Sequence, residues 1–304
     1  MADHPPVHQL SGPNRLEPSG QNRRVDGVLS LTFGVNAQGL TCLREQSHRP
    51  PLQVVRAFRQ PDGGVLTHLH NVSGGVLGGD RLTQEFTLDA GAQVQLTTTS
   101  ATRIYRAREG DAEALQTTRI QVGPNGILEY LPDTTIPFGG ARYRQDTTID
   151  LSDNAGLFWW ETLAPGRAAQ GEIFAYESVI LRAAIRANGR EIAAEHLRLE
   201  PARAPLASSA RLGPYRYFTT FYACRVGATV SQLRQLETDL HEIAASRTPP
   251  GVDVWGVSTL SAHGVCIRGL SVRGLHIAAD LYAFWDCARR ALYGAGAVAP
   301  RKIN

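Results

Sequence analysis

Lysine is nearly missing from this chain. Lys302 is the only lysine among 31 basic residues, so positive charge rests on arginine, whose planar fork favours bidentate pairing with carboxylates at interfaces. A codon bias of the genome accounts for the same pattern. Cysteine is sparse and scattered. Cys42, Cys224, Cys266 and Cys287 form no C-x-x-C pair, which excludes a zinc ribbon or a thioredoxin-type motif and leaves buried thiols as the expectation. No run approaches the roughly 18 apolar residues of a membrane span, and Met1 to Pro6 carry neither the basic nor the apolar part of a secretory leader. A cytoplasmic protein without membrane contact is expected. A strong charge bias is missing too: 31 basic against 28 acidic residues give +3. With no basic run and no aromatic platforms beside the arginines, no nucleic-acid partner is expected.

The usual catalytic signatures are also absent. No G-x-x-x-x-G-K-[ST] loop, no strand-borne G-x-G-x-x-G and no G-x-S-x-G elbow occurs. The most unusual stretch is Gly74-Gly75-Val76-Leu77-Gly78-Gly79-Asp80-Arg81. Its paired glycines allow positive φ and close approach of another chain, and its plainest reading is a sharp bend between two strands.

With 304 residues and 42% hydrophobic content the chain buries a large core. Residues 1–23 are rich in Pro, Gly, Asn and Gln without periodicity and read as a flexible arm; residues 24–304 read as one domain. Short alternating segments dominate from residue 25 onward. Strands are expected over 28–33, 40–44, 52–58, 65–71, 82–88, 92–98, 117–122, 127–131, 134–138, 143–151, 157–163, 173–185 and 191–199. Gly123-Pro124-Asn125-Gly126 and Asn188-Gly189 read as hairpin turns. Only two stretches have helical spacing: Leu233, Leu236, Leu240 and Ile243, then Leu281, Trp285, Ala288 and Leu292 before Gly294. The expected fold is mainly β, a single body of stacked strands with two helices in the C-terminal half and no internal repeat of fixed period.

The order of motifs resembles a known family. The glycine stretch, then Leu96-Thr97-Thr98-Thr99-Ser100-Ala101-Thr102-Arg103-Ile104-Tyr105-Arg106, then Leu128-Glu129-Tyr130-Leu131-Pro132-Asp133-Thr134-Thr135-Ile136 is similar to the UreD (UreH) urease accessory proteins. Trp159-Trp160-Glu161, Gly166-Arg167, Gly171-Glu172-Ile173-Phe174 and Pro300-Arg301 continue the likeness. The resemblance implies a non-catalytic partner in nickel-urease maturation. It would bind the UreF accessory protein, which carries the UreG GTPase, and dock on apo-urease, with nickel passing transiently through its interior and no tightly bound cofactor. Two departures stand out: Tyr130 replaces a tryptophan, and the acid that follows the Pro-Gln of the family sits one residue earlier, at Asp133. In a strand that shift turns the carboxylate to the other face, which favours Glu129 over Asp133. Arg103 stands where lysine is common.

A transfer route needs ligands that release nickel, and carboxylates with hydroxyls suit that better than a closed thiolate or imidazole cage. The candidates under the resemblance are Asp80, Thr102, Glu129, Glu161 and Glu172, supported by Gly74, Gly75, Gly78, Gly79, Arg81 and Arg103. Each has a plainer alternative. Asp80 caps its own turn or pairs with Arg81 or Arg103, and Glu161 is a core acid whose natural partner is Arg167. Glu172, at an expected strand start, is placed where it could point into a cavity. The bend is expected to set Asp80 and Arg81 beside Thr102 and Arg103. His68 and His70 fall on one face of a strand and could share a metal, although no third ligand is near in sequence. Apolar residues on the two helices, Leu240 and Leu292 among them, are expected to dock UreF. The rival reading is a β-fold hydrolase or lyase using carboxylates such as Glu129 and Glu172 as acid and base.

Overall fold

The computed structural model describes residues 25–300; the arm expected over residues 1–23 lies outside the described residues. Strands β1 (Asp26–Val35) and β2 (Thr41–Arg49) form an antiparallel pair, and the short β3 (Leu52–Gln53) and β4 (Ala57–Arg59) lie antiparallel to β5 (Val65–Asn71). From β6 (Arg81–Leu88) the chain winds as a solenoid, through β7 (Gln93–Thr98), β8 (Thr102–Ile104), β9 (Ala114–Val122), β10 (Ile127–Tyr130), β11 (Thr135–Pro137), β12 (Arg142–Leu151), β13 (Gly156–Leu163) and β14 (Ser178–Ala187). Strands β6, β9, β12 and β14 stack in parallel in one sheet, and β5, β7, β10 and β13 do so in the other. The small pair of β8 and β11 makes a third side. Antiparallel β15 (Arg190–Leu199) closes the first sheet, and β16 (Tyr217–Arg225), β18 (Gly264–Ser271) and the edge strand β17 (Asp253–Thr259) extend the second. Helices α1 (Val230–Ser246) and α2 (Ile277–Tyr293) pack on that second sheet.

Parity along the strands divides the core. Leu157 and Trp159 of β13 join the cluster between the sheets, whereas Phe158 joins the cluster under the helices. The second sheet is therefore covered on both faces, and its strands carry continuous apolar runs instead of alternation. That explains why β16, buried at six consecutive positions, offers no period to read. The first sheet alternates, as in β6 where Leu82, Gln84, Phe86 and Leu88 are buried and the residues between them are not, because its outer face meets solvent.

The coils differ in length. Arg81 stands opposite Leu115, Leu115 opposite Arg144, and Arg144 opposite Ile180, so the structural repeat leaves no fixed period in sequence. The expected hairpin at Gly123–Gly126 is instead a corner carrying the chain from β9 in one sheet to β10 in the other. Corners of successive coils stack through their backbones: the Gly91 amide donates to the Pro124 carbonyl and the Asn125 amide to the Asp153 carbonyl, both at 2.9 Å. Asn188-Gly189 is a true two-residue hairpin, with Ala187 paired to Arg190 and both central φ angles positive. The strand expected over 52–58 breaks into β3 and β4, with Val55 turned out to solvent. Helix α1 opens with a reciprocal capping box between Thr229 and Gln232, and α2 ends on Gly294 in the left-handed region. Of the four thiols only Cys224 and Cys266 are buried; Cys42 and Cys287 are partly exposed.

Candidate functional site

The inner face of the solenoid turns polar at one end. Gln84, Gln116 and Gln145 come from successive strands of the first sheet and face Thr98, Tyr130 and Glu161 of the second, around a cavity of about 100 Å³. Gln116 and Gln145 are register partners. A smaller cavity of about 20 Å³ lies beyond, walled by Ala183, Glu195 and Thr220. Thr135, Gln145, Glu161 and Thr162 border both cavities. Glu161 is thus the acid at their junction.

Its surroundings fix its chemistry. The Gln145 side-chain amide donates to Glu161 Oε1, the Tyr143 hydroxyl donates to Gln145 Oε1 at 3.0 Å, and no arginine pairs with Glu161 among the described residues. Burial pushes the Glu161 carboxyl up to about 8, the Gln145 hydrogen bond opposes the rise and the Glu195 charge adds to it. At the far side Glu195 accepts from the Tyr222 hydroxyl at 2.6 Å and pairs with Arg268 at 3.4 Å.

The expected residues separate into two groups. Thr102, Glu161, His70, Gly74, Gly75 and Arg103 line the larger cavity. The others are committed elsewhere. Asp80, 2% exposed, accepts the Leu77 amide at 2.9 Å and so caps the turn opened by the positive φ of Gly79; burial raises its carboxyl against hydrogen bonds from Leu77 and Val25. Its backbone carbonyl takes the Leu115 amide. The bend therefore sets Gly75 and Val76, not Asp80 and Arg81, beside Arg103 to Tyr105: the Val76 amide donates to the Arg103 carbonyl at 2.8 Å. Gly75 permits this approach, since a Cβ there would stand 2.5 Å from the Arg103 carbonyl oxygen and from the Tyr105 ring. A Cβ on Gly78 would meet the Asp111 carboxylate at 2.7 Å, and Arg81 is exposed on the outer face.

Glu129 points away from the cavity, under α2. It accepts from Arg289 at 2.7 Å, Gln95 at 2.8 Å and Trp285 at 3.2 Å, and Arg289 also pairs with Asp62 at 2.7 Å. Strand parity places it there, one residue from the inward Leu128 and Tyr130. Glu172, not Glu161, is the partner of Arg167. It also accepts the Gly139 amide at 3.0 Å, and these contacts hold its carboxyl down to about 2. Glu129 and Glu172 thus belong to separate ion pairs with no shared partner, contrary to an acid–base pair. His68 packs edge-on against Phe58, His70 has its pKa lowered by burial and then by His68, and among the described residues no group of three or more His, Cys, Asp or Glu could hold a metal ion.

Residues outside the expected set complete the site. The glutamines carried no signal beyond their inward parity in β6, β9 and β12. Asp133 exchanges hydrogen bonds with Thr98 and borders both the larger cavity and a groove of about 250 Å³ beside α2. The one-residue shift of this acid does not move it to another face, because residues 131–134 follow β10 as irregular chain. Leu240 and Leu292 lie in the core, 0% and 3% exposed; the exposed large apolar residues near the helices are Val230, Leu275 and Tyr282.

The family model described as UreD urease accessory protein matches residues 25–304. The chain is 48% identical over 280 residues to the urease accessory protein UreD of Herpetosiphon aurantiacus, covering 92% of this chain and 97% of that one. It is 34% identical over 258 residues to the protein of the same name from Corynebacterium glutamicum, covering 82% and 86%. This chain belongs to the UreD family of urease accessory proteins. The motifs that carry the likeness thus serve two ends in this UreD-family chain: some wall the lumen, while Asp80, Glu129 and Glu172 hold its turn, helix and loop in place. No helix among the described residues is long and apolar enough to cross a membrane.

Proposed function

We propose that this chain is a non-catalytic scaffold of urease maturation, which binds the UreF and UreG accessory proteins and apo-urease and passes nickel through its lumen toward the urease active site. The observation that carries this reading is the position of Glu161, an inward acid at the junction of two cavities whose polar lining also includes Gln84, Gln116, Gln145, several threonines and the carboxylates of Asp133 and Glu195. A cation at Glu161 meets amide, hydroxyl and carboxylate oxygens, with His70 the one imidazole on the wall of the larger cavity. That set supports passage of an ion rather than its storage, because imidazole and thiolate bind borderline divalent metals more tightly. The sheet scaffold keeps the centre of the site fixed, since Gln84, Gln116, Gln145, Tyr130 and Glu161 each sit on a strand hydrogen-bonded on both edges. The closing experiment is nickel loading of apo-urease by the co-expressed complex. Glu161→Ala is expected to lower urease nickel content at least severalfold while UreF still co-purifies with the chain. Full nickel content in that variant removes Glu161 from the route, and failure to bind UreF in the wild-type chain removes the scaffold reading.

A further inference from the structure

A side-chain contact lies where the two cavities share walls. Gln145 and Glu161 border both cavities, and the Gln145 amide nitrogen donates to the Glu161 carboxylate and, at 3.4 Å, to Thr147 Oγ1. The Gln145 carbonyl oxygen is taken by the Tyr143 hydroxyl, itself on a fully buried ring. The Glu161 carboxylate, which only accepts when ionised, takes the NH₂, and the Tyr143 hydroxyl, free to donate, takes the oxygen. Gln145 therefore presents only donors to the junction. An ion arriving at Glu161 receives no help from it and competes with it for the carboxylate.

We infer that Gln145 is a specificity-determining residue of the lumen, a hydrogen-bonded plug that yields Glu161 to a hydrated divalent cation and holds it against monovalent ions. This rests on the lumen being a cation route. The discrimination is Coulombic: burial favours the protonated form of Glu161, so an arriving cation must displace that proton as well as the amide contact, and at equal distance a divalent ion gains twice the attraction of a monovalent one toward the same two costs. No backbone movement is required, since rotation of Gln145 about its own side-chain bonds removes the contact.

The test uses the full chain in complex with its accessory partners and apo-urease, with Ni²⁺ supplied and urease nickel measured by mass spectrometry over time. Gln145→Ala is expected to speed nickel arrival about tenfold, the rate equivalent of one hydrogen bond to a charged group, and to make arrival sensitive to added Na⁺. Gln145→Glu places a second carboxylate beside Glu161. It is expected to leave nickel on the accessory chain after desalting, an outcome that a merely structural glutamine does not give. Gln145→Met, equal in length but without donors, replaces the alanine variant if that one fails to assemble. Ala183→Trp, which fills the smaller cavity, is the control for the route. If it stops nickel while Gln145→Ala is no faster and Gln145→Glu retains no metal, Gln145 has no such role and the route stands. If Ala183→Trp assembles and loads urease as wild type does, nickel does not pass through the lumen and both readings fall.

Discussion

Removing Arg289 isolates a charge that the fold has buried. Arg289 and Glu129 have side chains only 7% and 5% exposed, and their contact ties α2 to β10, while Arg289 reaches on to Asp62 and Gln95 links Glu129 to the Val298 carbonyl. In Arg289→Met the stem volume is kept, and Glu129 retains hydrogen bonds from Gln95 and Trp285 but no positive partner. Breaking one side of such a pair costs about 3–5 kcal/mol, which for a chain of this size corresponds to a fall in melting temperature of roughly 10 °C. Glu129→Gln is expected to cost clearly less, because Arg289 keeps Asp62 and the new amide still accepts from Trp285. The two losses also differ with pH. Burial already raises the Glu129 carboxyl, and without Arg289 the folded chain prefers it protonated still more strongly. Between the unfolded carboxyl pKa and that raised folded value the native state binds more protons than the unfolded one, so stability falls as pH rises. Arg289→Met is therefore expected to be nearer wild type at pH 5 than at pH 8, by thermal unfolding of the purified complex. A loss that is below about 1 kcal/mol, or equal at both pH values, refutes the assignment of this pair as a buried structural link.

Four further outcomes follow from the same geometry. Glu161, whose carboxyl is raised to about 8, withdraws stability as pH climbs from the ordinary carboxylate range toward that value; Glu161→Gln should flatten this part of a melting-temperature profile. Gly75→Ala should cost about 2 kcal/mol or more through overlap with the Arg103 backbone, whereas Gly256→Ala, with nothing within 4 Å of its Cβ position, should stay within about 0.5 kcal/mol, both by denaturant titration. Thr229→Ala removes the α1 capping box and should cost about 1 kcal/mol without affecting nickel loading. Leu240→Asp should abolish folding because the site is 0% exposed, while Leu275→Asp, at a position 73% exposed, should leave the melt unchanged; loss of UreF binding in the latter would locate the docking surface at the start of α2.

Local regularity made much of this architecture legible in the amino-acid sequence. Strands with one solvated face, β6, β9 and β12, announce themselves by alternation, and both helices by apolar spacing, the second also by its terminal glycine. The motifs also placed the chain in its family before any contact was known. Strands buried on both faces, such as β16, lose their period when neighbours cover the second side, and coils of unequal length hide the solenoid. The sites divide in the same way. Sequence named the acids but not their partners: Arg167 stands close to both Glu161 and Glu172 in the chain and in space takes Glu172. Inward parity with Trp159 was available for Glu161, and outward parity for Glu129, yet parity acquires meaning only when it is known which face is lumen and which is covered by α2. Composition and short-range pattern determine which residues are strand, turn or helix, because those preferences act over a few bonds. Only the stacking of coils brings Gln84, Gln116 and Gln145 into one wall facing Glu161, since their proximity comes from register between strands that the local chain does not encode.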